Sequence, residues 1–305
     1  MKEVLKSALS IFLMLTLIPL ISFFFVDNSK GKFKVYDIDK SKILTLSPRE
    51  YVIGSLSCEM PPSFHKEALK AQAVAIYTNA IRSTYSESEY IAKVSPKKRY
   101  GYTTQKILKE NWGKNFDAYF EKMCAAVDEV LGTVIVYNSK PILAAYHSMS
   151  SGKTESAENV WGEKVEYLVP VESEGDKLAA ELVETREFSS NEAREILKDA
   201  LPDTFLPELD SLLFTDFEYS DSGTLLSAVV GNKKVSGQKL REMFSLRSAA
   251  FEVTAQNGKI IFTTKGYGHA VGLSQYGADF LARQGSDYKE ILKHYYTGIS
   301  ILYSI

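Results

Sequence analysis

The pattern of apolar and polar positions divides the chain before any motif is considered. Residues 7–26 carry no charge and are dominated by Leu, Ile and Phe. About twenty residues at about 1.5 Å each span roughly 30 Å, the thickness of a bilayer's hydrocarbon core. Lys2 and Lys6 precede this run, so it reads as a transmembrane anchor, with residues 1–6 cytoplasmic and the rest exported. Phe23, Phe24, Phe25 and Val26 stand where a cleavable signal would need small residues, which favours an uncleaved anchor over a signal peptide. Residues 27–47 show scattered charges and little periodicity and read as a stalk. The globular part is expected from residue 48 to residue 305.

Within that part the period changes several times. A helix is predicted over 63–82, after Pro61 and Pro62, with Ser63 as its cap and Leu69, Ala73, Ile76 and Ala80 on one side. A second is predicted over 115–131, where Phe116, Tyr119, Phe120, Met123 and Val127 form a stripe and Gly132 ends the helix. Residues 133–137 and 142–146 then alternate as a hairpin around Asn138-Ser139-Lys140. Ser189 with Glu192 forms a capping box for a helix to about residue 200. Gly231-Asn232 and Asn257-Gly258 mark two further hairpins, and helices are expected over 278–284 and 288–295. Helices and antiparallel hairpins mix without regular alternation, which predicts an α+β fold around a cleft rather than a doubly wound sheet.

Composition narrows the function. The net charge of -2 gives no global attraction to nucleic acid. His65, His147, His269 and His294 form no metal-binding spacing, and Cys58 and Cys124 are too dispersed for a zinc motif. No metal or cofactor is expected. Export would permit a disulfide between the two cysteines without demanding one. The glycines Gly266, Gly268 and Gly272 do not follow the dinucleotide spacing.

Three segments concentrate side chains that do chemistry. The first holds Glu59 between Cys58 and Met60, just before the predicted helix. A carboxyl group among apolar neighbours has a raised pKa, because desolvation disfavours its charged form, and is then usable as a general acid near neutral pH. The second runs from His147 through Ser151 to Glu155 at the end of a predicted strand. A Ser-His hydrolase is disfavoured there, because close sequence spacing does not give triad geometry. The third, from Gly266 to Ala278, sets His269, Gln275 and Tyr276 among glycines. Tight turns of this kind present amide and aromatic groups of the sort that bind sugars.

These segments carry a resemblance. YVIGSLSCEMPPSFHKEALKAQAVA, AAYHSMSSGKTESAENVWG with YLVPVES, VSGQKLREMFSLRS, and GYGHAVGLSQYGADFLARQG with YKEILKHYYTG are similar to the stage II sporulation protein D family of lytic transglycosylases. That family belongs to the engulfment machinery of endospore-forming bacteria. More distantly the segments resemble amidase-enhancer proteins. The resemblance implies cleavage of peptidoglycan glycan strands to 1,6-anhydro-N-acetylmuramic acid ends, with Glu59 as catalytic acid/base. It implies glycan-cleft roles for Lys70, His147, Gln275 and Tyr276, and Ser151 and His269 join them as binding candidates. It also implies an extracytoplasmic, septal location, a cell-wall amidase and its membrane protein as partners, and sporulation as the setting. The alternative is a non-catalytic glycan-binding enhancer of a cell-wall amidase. The sequence departs from the family pattern at Tyr77, which stands at an arginine position, at Ala270, which replaces a glycine, and at Ser151, which replaces the first glycine of a Ser-Gly-Gly run. Lys153 and Asn159 stand in a region where some relatives carry zinc-binding cysteines, so no such zinc is expected.

Overall fold

A computed structural model describes residues 31–303. The apolar run 7–26 lies outside the described residues, and among those described no helix is long and apolar enough to cross a membrane. The chain opens with β1 (Phe33–Asp37) and β2 (Lys42–Leu46), an antiparallel pair. Phe33, Val35 and Leu46 are buried in the main core. Residues 33–46 are therefore part of the folded body, which corrects their reading as stalk. Their alternation is short, and its third inward position is the charged Asp37, so period-two patterning was hard to see.

Helix α1 (Pro48–Glu59) follows, with the Ser47 side chain accepting the Glu50 N–H and Pro48 at the first position, where a missing N–H costs nothing. Glu59 is thus the last residue of a helix, not a loop residue ahead of one. Pro61 and Pro62 separate it from α2 (Lys66–Thr84), whose cap is His65 rather than Ser63. Helix α2 is buried on nearly every side, from Ala68 and Leu69 to Ala80 and Ile81. Its alanines let several neighbours approach the backbone closely, which explains why one predicted apolar face understated its burial. The strand β3 (Ala92–Val94) joins β1 in parallel. Helices α3 (Gln105–Trp112) and α4 (Phe116–Asp128) lead to β4 (Thr133–Tyr137). The hairpin turn is where it was expected, with Asn138 and Ser139 both at positive φ. Its second strand is shorter than expected: β5 covers only Lys140–Pro141. The chain then leaves register and forms the short β6 (Tyr146–His147) and α5 (Ala157–Trp161).

A second lobe with its own core spans 183–265. Strand β7 (Val183–Ser189) leads into α6 (Ser190–Ala200) through the expected Ser189–Glu192 capping box. The antiparallel set β8 (Phe214–Tyr219), β9 (Leu225–Val230) and β10 (Lys233–Ser236) precedes α7 (Gly237–Met243). The hairpin of β11 (Phe251–Gln256) and β12 (Lys259–Lys265) turns at Asn257-Gly258, and β7 pairs with β12. Phe188, Phe214, Phe244, Phe251 and Phe262 pack here, with the Phe244 and Phe262 ring centroids 4.5 Å apart. Strand β7 escaped prediction because its inward positions include Glu184 and Arg186, so no apolar alternation marks it.

The chain then returns to the first core. Strand β13 (Leu273–Ser274) pairs in parallel with β6, and α8 (Gln275–Arg283) and α9 (Tyr288–Tyr295) pack with α2. Strand β14 (Ser300–Tyr303) closes on β4. The α+β reading holds, with β1–β3 and β6–β13 as parallel pairs among the antiparallel sheets.

Candidate active site

Glu59 is half-buried at the carboxyl end of α1. Burial holds its carboxyl above the ordinary glutamate value. Among the described residues no hydrogen bond or ion pair engages the carboxyl group. Its neighbours are weak acids kept protonated. The Cys58 thiol is pushed up to about 12, chiefly by burial, so it is not a reactive thiol at neutral pH. The phenols of Tyr51 and Tyr146 are also raised, by burial first and by the nearby Glu59 second.

Tyr146 connects Glu59 to the other two segments. In the β6–β13 pair Tyr146 stands opposite Leu273 and His147 opposite Ser274. The His147 Nδ1–H donates to the Val271 carbonyl at 3.2 Å. The Val271 N–H donates to Nδ1 of His269 at 3.0 Å, and the His269 ring also bonds the Tyr146 carbonyl. The two rings lie 5.8 Å apart, with Trp161 5.3 Å from His269. Burial lowers His147 to about 4. Burial, with the neighbouring His147 and Arg241, lowers His269 to about 3. Both are neutral imidazoles at physiological pH. Nε2 of His147 is buried and has no hydrogen-bond partner among the described residues.

Directly after β13, Gln275 donates from its amide to the Gln72 side chain at 3.4 Å, and both are buried. Tyr276 packs edge-on against Phe64, with ring centroids 5.0 Å apart, and its N–H donates to the Ser148 carbonyl. The structure therefore gathers Glu59, His147, His269, Gln275 and Tyr276 on or beside one short parallel ribbon.

Lys70 lies elsewhere, and Ser151, which lines a small pocket with His269, turns its hydroxyl toward the second lobe. Lys70 bonds Glu67 at 2.7 Å and Glu129 at 3.1 Å and lies over the Tyr288 ring. Residues 70 and 72 are about 200° apart around a helix, so Lys70 is on the opposite face of α2 from Gln72. There it ties α2 to α4 and α9. The Ser151 hydroxyl donates to the Ser222 carbonyl at 2.7 Å, joining the two lobes. Ser151 also lines a cleft of about 660 Å³ between them, with Lys153, Tyr219, Asp221, Glu252 and Lys265. Glu59 is not among the residues of that cleft. Tyr77, at the family's arginine position, is a core residue whose ring lies 6.1 Å from Phe33.

Sequence reasoning passed over Asp176. It is fully buried and accepts the Ser150 N–H, the Ser150 hydroxyl and the Ser274 hydroxyl. Ser274 in turn caps α8 by accepting the Gly277 N–H. Asp176 thereby holds both strands of the ribbon, a role without local signal because it sits in a short 3-10 helix, Glu174–Leu178, and its partners are remote in sequence.

The fold and the site together define a two-lobed α+β protein with a desolvated, unpaired carboxyl group beside a ribbon of neutral histidines and amides. Comparison with known proteins supplies the family. The model of the Stage II sporulation protein family (SpoIID) matches residues 36–137. Stage II sporulation protein D of Bacillus amyloliquefaciens is 35% identical over 278 residues, covering 88% of this chain and 77% of that protein. The Bacillus subtilis protein of the same name is 34% identical over 275 residues, 88% of this chain and 78% of its own length. The amidase enhancer of Bacillus subtilis is 27% identical over 296 residues, 81% of this chain and 40% of the relative. The chain belongs to the stage II sporulation protein D family, as its motifs implied.

Proposed function

We propose that the chain is a peptidoglycan lytic transglycosylase that remodels septal cell wall during sporulation, anchored by residues 7–26 with its body outside the membrane. The observation that carries this reading is Glu59, a half-buried carboxyl group with no ion pair among the described residues, whose pKa desolvation raises. Protonated Glu59 donates its proton to the oxygen linking N-acetylmuramic acid to N-acetylglucosamine. Ionised Glu59 then removes the proton of the muramic acid's C6 hydroxyl, which closes on C1 as the 1,6-anhydro ring. The nucleophile belongs to the substrate, so its high effective concentration replaces a positioned water and a second carboxylate. The half-buried Tyr276 suits contact with a sugar ring face, while Gln275, buried and bonded to Gln72, supports the ribbon from inside. A glycan strand is a long polymer and needs an open groove more than an enclosed cavity. The cleft between the lobes is therefore not required for this chemistry.

The amidase enhancer among the relatives favours a second reading, in which the chain grips glycan and stimulates a cell-wall amidase without cutting. The amidase is a proposed partner in either case. Digestion of purified peptidoglycan by the full chain separates the two. Anhydro-ended fragments, lighter by one water than hydrolysed ones, support cleavage, and their disappearance with Glu59→Gln assigns the acid. Absence of any new glycan end, with amidase stimulation intact, favours the enhancer.

A further inference from the structure

A basic loop reaches the same helix end as Glu59. Lys97, Lys98 and Arg99 are consecutive and exposed. Asp39 fixes the loop's base, accepting the Ser95 hydroxyl at 2.6 Å and the Lys97 N–H at 2.9 Å. Ser95 and Tyr100 bridge the loop's two ends. Beyond it the chain runs back along α1. The Ser55 hydroxyl donates to the Gly101 carbonyl at 2.7 Å, and the Thr103 N–H to the Gly54 carbonyl at 3.3 Å. Gly54 permits this approach, since a Cβ there would meet the Tyr102 ring at 2.3 Å. These ties deliver Arg99 to the carboxyl end of α1, where its guanidinium donates to the Ser57 carbonyl at 2.9 Å and meets the Cys58 thiol, one residue before Glu59 in the helix.

Arg99 holds φ at +54°, a left-handed conformation that costs a non-glycine residue roughly 1 kcal/mol. The surrounding bonds over-determine it. Among the described residues no carboxylate pairs with the guanidinium. Guanidinium has about five N–H donors in a planar fork that matches a carboxylate, and most remain available. Tyr77, by contrast, is sealed inside the core and offers the glycan nothing.

We propose that Arg99 is a specificity-determining residue that binds the free lactyl carboxylate of muramic acid once its peptide is gone. The proposal rests on the glycan reading above. It adds that the anionic substituent beside the scissile linkage is read by the loop from Ser95 to Tyr100. The exposed Tyr100 next to Arg99 offers a ring face to the same sugar.

Binding separates this role from a helix-end cap. Soluble peptide-free glycan oligomers, and the same oligomers with lactyl carboxylates converted to neutral methylamides, are titrated calorimetrically into the full chain. The chain carries Glu59→Gln to prevent turnover. One charge-assisted pair predicts about a tenfold preference for the free carboxylate. Adding Arg99→Gln should remove the preference while affinity for the neutral oligomer holds, and Arg99→Lys should retain part of it. A preference that survives Arg99→Gln overturns the proposal, as does an equal loss for both oligomers. Equal binding of both oligomers before Arg99 is changed also overturns it but leaves the glycan reading standing. Binding of neither overturns both.

Discussion

Asp176 accepts the hydroxyl hydrogen of Ser274 at 2.6 Å, while its other carboxylate oxygen takes the Ser150 N–H and hydroxyl. Burial raises its pKa and these donors oppose the rise, so the group is both costly to bury and fully used. Asp176→Asn would turn an amide NH₂ toward donors and leave buried hydrogens unpaired. The expected loss is about 2–4 kcal/mol, measured by chemical denaturation. An unchanged midpoint would show that the ribbon does not depend on this brace.

Glu59 makes a pH prediction independent of any activity assay. Its folded pKa lies above the ordinary 4.5, so between those values the folded state binds more protons than the unfolded one. Stability then falls as pH rises through that window. Glu59→Gln should match the parent chain at low pH and be the more stable of the two above the raised pKa. A melting-temperature difference that grows from pH 4 to pH 8 checks this. No pH dependence in the difference would remove the desolvation argument.

The buried histidines act in the opposite direction. His147 and His269 titrate at about 4 and about 3 when folded, against about 6.5 when unfolded. Below about pH 6.5 the unfolded state binds more protons, so stability drops on acidification by up to about 1.4 kcal/mol per pH unit for each histidine. His269→Gln should flatten the acid limb of a stability–pH curve between pH 6 and 4. A limb of unchanged slope would show that this imidazole is not desolvated.

Gly54 is a packing requirement. A methyl group there would lie 2.3 Å from the Tyr102 ring and 2.6 Å from the Thr103 carbonyl. Neither can yield without moving the strip that carries Arg99. Gly54→Ala is expected to cost about 1–3 kcal/mol and to weaken binding of peptide-free glycan, read by denaturation and calorimetry on the same preparation.

Ala270 stands where the family pattern has glycine, at φ +63°. A left-handed alanine costs roughly 1–2 kcal/mol, partly offset by the greater unfolded-state entropy of glycine. Ala270→Gly should therefore stabilise the chain by about 0.5–1 kcal/mol, seen as a higher melting temperature. A lower one would mean that the methyl group's packing outweighs its strain.

The amino-acid order alone determined whatever acts within a few residues. The Ser189–Glu192 capping box and the Asn257-Gly258 turn were legible because cap and turn chemistry is local. The Glu59 neighbourhood and the Gly266–Ala278 segment were legible because their polar residues cluster in sequence. Tertiary structure decided what depends on partners far along the chain. Lys70 is engaged by Glu129 as well as its neighbour Glu67. Residues 33–46 form a sheet because β3 completes it and the core covers Phe33 and Val35. Arg99 reaches the end of α1 only because a distant aspartate and a glycine on that helix hold its loop in place. Backbone propensity fixes local geometry, but desolvation and long-range hydrogen bonding arise only when remote segments meet, and those two effects set the chemistry of this site.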